Sequence, residues 1–218
     1  MAEDKLNVRP VDFMKHICQL YQDARLPKIP YENIENISRG NSRIVSSEVE
    51  DLTAALLSTN LHGEYLFLTD QSMGVENVRR FVPDVVIMKE NVIHDIIDVK
   101  MDLGRRRDDF YTEGSKWEDI LQQINGKDCS FIDGVTKERK YASFADYVRC
   151  HIIVISSGNI NPEQFRKQIS KFDDYESVDV YCFSEDLHPN TYHQTPEEIV
   201  EIMNIRSDEF DRLLENIT

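Results

Sequence analysis

The stretch PDVVIMKENVIHDIIDVK, residues 83–100, restricts the fold more than any other part of the chain. PDVVIMK and VIHDIIDVK are dense in branched apolar residues and meet at a short polar connection, the pattern of two strands joined as a hairpin. Strands this apolar belong inside a sheet, so the charged Asp84, Asp98 and Lys100 within them need an account. Side chains alternate along a strand, which sends Ile97 and Val99 to one face and Asp98 and Lys100 to the other. Asp84 opens the neighbouring strand, and a hairpin of this length brings it close to Asp98. Two carboxylates packed together repel unless a proton or a cation sits between them. A hard divalent ion with oxygen ligands satisfies both, and Mg²⁺ also keeps waters that a substrate phosphate can replace.

The flanking segments build the rest of the sheet. GEYLFLT (63–69) reads as a strand before the hairpin, and CHIIVIS (150–156) and VDVYCFS (178–184) as a buried pair after it. Helices are expected over 10–24 and 115–124. In a third, SRIVSSEVEDLTAALLST, Val45, Val49, Leu52 and Leu56 form the packed stripe, and Ser47 with Glu50 fits a capping box. Asn161, Pro162 and Gln164 open a helix running to about 172, Thr195, Pro196 and Glu198 repeat the device, and Ser207 caps the last helix. SFIDGVT carries an Asp-Gly turn, so residues 127–148 read as an inserted small hairpin. With no linker or internal repeat, the expected architecture is one α/β domain, a mixed central sheet flanked by helices.

Taking that stripe as the packed face, Glu48 lies at its edge and Glu50 points away, so Glu48 is the expected third carboxylate. Glu48 on the helix, Pro83-Asp84 at one strand and Asp98-Val99-Lys100 in the next resemble the PD-(D/E)xK nuclease superfamily. Its restriction endonuclease-like αβββαβ core corresponds to residues 42–156, about half the chain. The resemblance implies Mg²⁺-dependent hydrolysis of phosphodiester bonds, with DNA the first expectation for the polymer and Mn²⁺ a substitute for the metal. It further implies that Glu48, Asp84 and Asp98 bind the metal and that Lys100 positions or activates the attacking water. The D/E-x-K triplet alone carries little, since about two are expected by chance in a chain this charged. Its place at the end of an apolar strand is what distinguishes Asp98 to Lys100. A plain reading competes: an Asp98–Lys100 ion pair guarding an edge strand against aggregation. Two other readings are an inactive nuclease-fold binding or assembly subunit and an RNA-cleaving member of the same superfamily. The latter is weakened because no histidine occurs between residues 17 and 61.

Arg105, Arg106 and Arg107, in the loop after Lys100, are candidates to grip a nucleic-acid backbone, with Lys116 and Gln123 weaker ones. Tyr111 and Trp117 near that loop are candidates to stack on bases, with core packing the first expectation for Trp117. His94 shares a face with Asp98 by spacing, and His188 and His193 lack an evident third ligand. The chain's net charge of −15 opposes sequence-independent binding to phosphates, so a homodimer or partner subunit is expected to compensate. MAEDKLN has no cationic-then-apolar leader pattern and no long apolar run occurs, which suits a cytoplasmic protein without membrane contact. The four scattered cysteines form no CxxC pair, arguing for reduced thiols over a zinc site.

Overall fold

The computed structural model describes residues 8–28, 37–104 and 108–217. In chain order the elements are α1 (Pro10–Arg25), α2 (Ser46–Asn60), β1 (Leu66–Thr69), β2 (Gly74–Val75), β3 (Val85–Lys89), β4 (Val92–Lys100), α3 (Tyr111–Ile124), β5 (Asp128–Ile132) and β6 (Arg139–Val154). They continue through α4 (Pro162–Ile169), β7 (Val178–Cys182), β8 (Ser184–Glu185), α5 (Pro196–Ile202), β9 (Asn204–Ile205) and α6 (Ser207–Asn216). The protein is a mixed α/β fold: a seven-stranded sheet ordered β1-β3-β4-β6-β5-β2, with β7 also on β6, flanked by helices. Among the described residues no helix is long and apolar enough to cross a membrane.

Residues 83–100 form the hairpin that their composition demands. β3 and β4 pair antiparallel, and the connecting Glu90 and Asn91 both have positive φ, 51° and 63°. That is the backbone of a two-residue turn whose twist matches that of the strands. β4 then runs parallel to the second half of β6, and β7 runs parallel to β6 on its far side. A parallel strand between parallel neighbours is buried on both faces, which accounts for the burial of every residue from 150 to 154.

Helices divide between the two faces. Trp117, Leu121 and Ile124 of α3 and Phe165 of α4 share one core with Val86, Ile96 and Ile152. Helices α1, α2, α5 and α6 cover the other face, where Phe13, Val49, Leu57 and Phe210 pack with Val85, Ile97 and Ile153. Ile96 and Ile97 thus point to opposite cores, and alternation carries Asp98 and Lys100 to the α3 side with Ile96.

Several local expectations change. The inserted hairpin and the strand after it are not separate: β6 is one 16-residue strand, its first part antiparallel to β5 and its last part parallel to β4 and β7. Neither Ser47 nor Ser207 caps a helix, because α2 and α6 begin without a side-chain cap. Asn161 does cap α4, accepting from the Glu163 and Gln164 amides at 2.9 and 3.3 Å. Thr195 and Glu198 form the complete capping box of α5. Helix α4 stops at Ile169, and a 3₁₀ turn over Phe172–Asp174 covers the remainder of the expected span. The β4 register shifts between Ile93 and Asp95, and such a bulge breaks alternation, so spacing no longer places His94 with Asp98.

Candidate functional site

The hairpin brings Asp84 and Asp98 together. Asp84 stands just before β3, where its Oδ2 accepts the Val99 amide proton at 2.6 Å, and its carboxylate lies within hydrogen-bonding reach of the Asp98 side chain. Asp98 is 5% exposed. Lys100, two residues on and therefore on the same face, places Nζ 2.7 Å from both Asp98 oxygens. Only Oδ1 is in hydrogen-bonding geometry, and Oδ2 is buried without a hydrogen bond.

The third carboxylate is Glu50. Residues 50, 53 and 57 share a helical face, and Thr53 and Leu57 are both fully buried while Leu52 is only partly so. The packed face of α2 is therefore turned from the stripe 45, 49, 52, 56, which brings Glu50 to its edge and leaves Glu48 exposed. Glu50 feels the charges of Asp84, Asp70, Asp51 and Lys100. Asp70 comes with β1: Thr69 pairs with Val85 in register, and the Asp70 amide donates to the Asp84 carbonyl at 3.0 Å.

Electrostatically this corner is short of positive charge. Burial pushes the Asp84 carboxyl up to about 6, the Asp98 charge adds to the rise, and the Val99 amide and Lys100 pull against it. Burial likewise pushes Glu50 up to about 7, helped by Asp84 and Asp70 and opposed by Lys100. Among the described residues one ammonium, that of Lys100, faces Glu50, Asp84 and Asp98, with Asp70 close by. Adjacent carboxylates, with an Asp98 Oδ2 that is buried and in contact with the Lys100 ammonium but not in hydrogen-bonding geometry, are the oxygen donors that a hard divalent cation takes, so the chemistry of the set fits one. Among the described residues, no three His, Cys, Asp or Glu side chains already converge as a ready cage.

The other expected residues fall apart from this cluster. Arg105, Arg106 and Arg107 lie outside the described residues. Lys116 is on the exposed side of α3, 3.5 Å from Glu113. Trp117 is in the core, 2% exposed. His188 is engaged by protein groups: its Nε2 lies 3.1 Å from Asp102 Oδ2 while the Asn190 amide donates to Nδ1, which makes Nε2 the protonated nitrogen. This ties the loop after β8 to the loop after Lys100.

On the opposite face a second polar group escaped the sequence reading. Asp95, 1% exposed, meets the fully buried His151 at 3.0 Å. His151 Nδ1 lies 3.0 Å from the Tyr181 hydroxyl, which also accepts from Asn216 at 3.0 Å. Each contact spans elements far apart in sequence, so no local spacing signals it. No family model, curated protein or solved structure matches the chain.

Proposed function

We propose that this chain is a divalent-metal-dependent endonuclease of the PD-(D/E)xK type, hydrolysing phosphodiester bonds, with DNA the favoured polymer. The observation that carries the reading is the side-by-side placement of Asp84 and Asp98 with Lys100 on one sheet face and Glu50 at its edge. In this reading Asp84, Asp98 and Glu50 hold the cation, Mg²⁺ or Mn²⁺. A cation held there would neutralise phosphate charge and lower the pKa of water. Asp84 is kept in orientation by the Val99 amide, which holds its Oδ2. Asp98, almost fully buried, has no freedom to turn away. Lys100 Nζ is the positive group at hand among the described residues, and once freed from part of its contact with Asp98 it can donate to a phosphate oxygen or orient water. The strand fixes Asp98 and Lys100 because residues 98–100 pair with Ile152, Ile153 and Val154 of β6, and the Val99 amide between them holds Asp84.

Incubation of plasmid, linear DNA and RNA with Mg²⁺ or Mn²⁺ tests the proposal. Cleavage is expected for the wild type and not for Lys100→Ala, whose circular dichroism should remain native. The 2.7 Å ion pair between Lys100 and Asp98 also suits a nuclease-fold subunit that only binds. Absence of both cleavage and calorimetric cation binding would favour that second reading.

A further inference from the structure

A groove of about 500 Å³ opens between residues 78–82, immediately before Pro83-Asp84, and helix α3. Its floor is apolar: Phe81 and Trp117 meet edge to face with centroids 6.4 Å apart, beside Ile120. Its rim carries Arg79, Arg80 and Lys116, a local excess of cations in a chain of net charge −15. Arg79 is exposed and makes no hydrogen bond or ion pair among the described residues. Arg80 makes one bond, 3.3 Å to Ser72 Oγ. Lys116 lies 3.5 Å from Glu113 and 5.5 Å from the centre of the Trp117 ring.

Two further observations bear on the groove and on the candidate site. Trp117, which lines the groove, has a buried Nε1 without a hydrogen-bond partner. Trp117 also packs in the same core as Ile96, on the sheet face that carries Asp98 and Lys100. The buried Cys150 thiol feels Lys116 as well as Asp84, Asp98 and Lys100, so Lys116 and the acidic corner lie within electrostatic range of one point.

We infer that this groove binds a DNA strand, its phosphates on Arg79, Arg80 and Lys116 and a base over the apolar floor beside the Trp117 indole. The choice of polymer rests on the proposed nuclease reading. The ligand chemistry rests on the groove: cations for phosphates, and apolar and aromatic walls for a base. It also answers how so acidic a chain takes a polyanion, by gathering Arg79, Arg80 and Lys116 where the strand would lie.

Trp117 is the only tryptophan in the chain, so intrinsic fluorescence reports on this groove. Single-stranded and duplex oligonucleotides would be titrated in chelator, where cleavage cannot occur. A saturable change in tryptophan emission, weakening with salt, is expected. Arg79→Ala/Arg80→Ala should lower affinity about tenfold or more and reduce the salt slope by roughly one to two. Lys140→Ala, on the β5–β6 hairpin, should leave both unchanged. Because both arginines are exposed, native circular dichroism of the double variant is expected and would be verified. DNA binding seen by anisotropy without any emission change, affinity unaltered in the double variant, or binding of an acidic peptide but not of DNA would each overturn the inference. The two proposals separate cleanly. Arginine-dependent quenching without cleavage or cation binding leaves the groove standing and removes the nuclease. Cation binding and cleavage with an indifferent double variant does the reverse.

Discussion

Replacing Asp84 by asparagine should make the metal-free protein more stable, although the residue stands at the centre of the proposed site. The amide that replaces the carboxyl keeps an oxygen for the Val99 N–H and offers an N–H of its own to Asp98, so a repelling pair becomes a hydrogen-bonded one. The wild-type carboxyl has a folded-state pKa of about 6, above the unfolded value of about 3.9. The folded state therefore holds this proton more tightly than the unfolded one. The group's contribution to stability is full below about pH 4 and is lost as pH rises through about 6. Two pKa units correspond to about 3 kcal/mol as a ceiling, and solvent screening of a half-buried group leaves about 1–2 kcal/mol. Thermal unfolding in chelator near pH 8 should then place the Asp84→Asn midpoint about 2–8 °C above the wild type, with the difference vanishing near pH 4. Adding Mg²⁺ should reverse the order, since a cation at a hundred times its Kd stabilises by about 2.7 kcal/mol and the variant lacks a ligand. An Asp84→Asn protein less stable than the wild type in chelator near neutral pH, or one equally stabilised by Mg²⁺, would refute the view of this corner as cation-deficient.

Two further outcomes follow from the geometry. Glu50→Gln should reduce cleavage by at least about tenfold, the loss that follows even removal of an outer-shell partner of a metal ligand, whereas Glu48→Gln, on the exposed side of α2, should leave it within about twofold; comparing initial rates of plasmid nicking decides between them. On the other face, His151→Ala strands the buried Asp95 carboxylate and should cost about 3–5 kcal/mol. In urea unfolding, the double replacement Asp95→Leu/His151→Leu should recover much of that loss, and strict additivity of the two single changes would contradict a direct pairing.

The parts of the fold legible in the sequence are those decided by neighbours along the chain. The hairpin, the opposite facing of Ile97 and Val99 against Asp98 and Lys100, and the caps at Asn161 and Thr195 all depend on residues within a few positions, where strand alternation and capping chemistry operate. Asp84 beside Asp98 follows from the same hairpin. Packing decided the rest. Which glutamate of α2 reaches the site depends on how the helix is rotated against the sheet, and the apolar stripe allows more than one rotation. The meeting of Asp95 with His151, the fusion of hairpin and core strand in β6, and the gathering of Arg79 and Arg80 with Lys116 join segments tens of residues apart. Periodicity reports which side of an element is apolar; only the closed core fixes what that side, and the polar edge next to it, will touch.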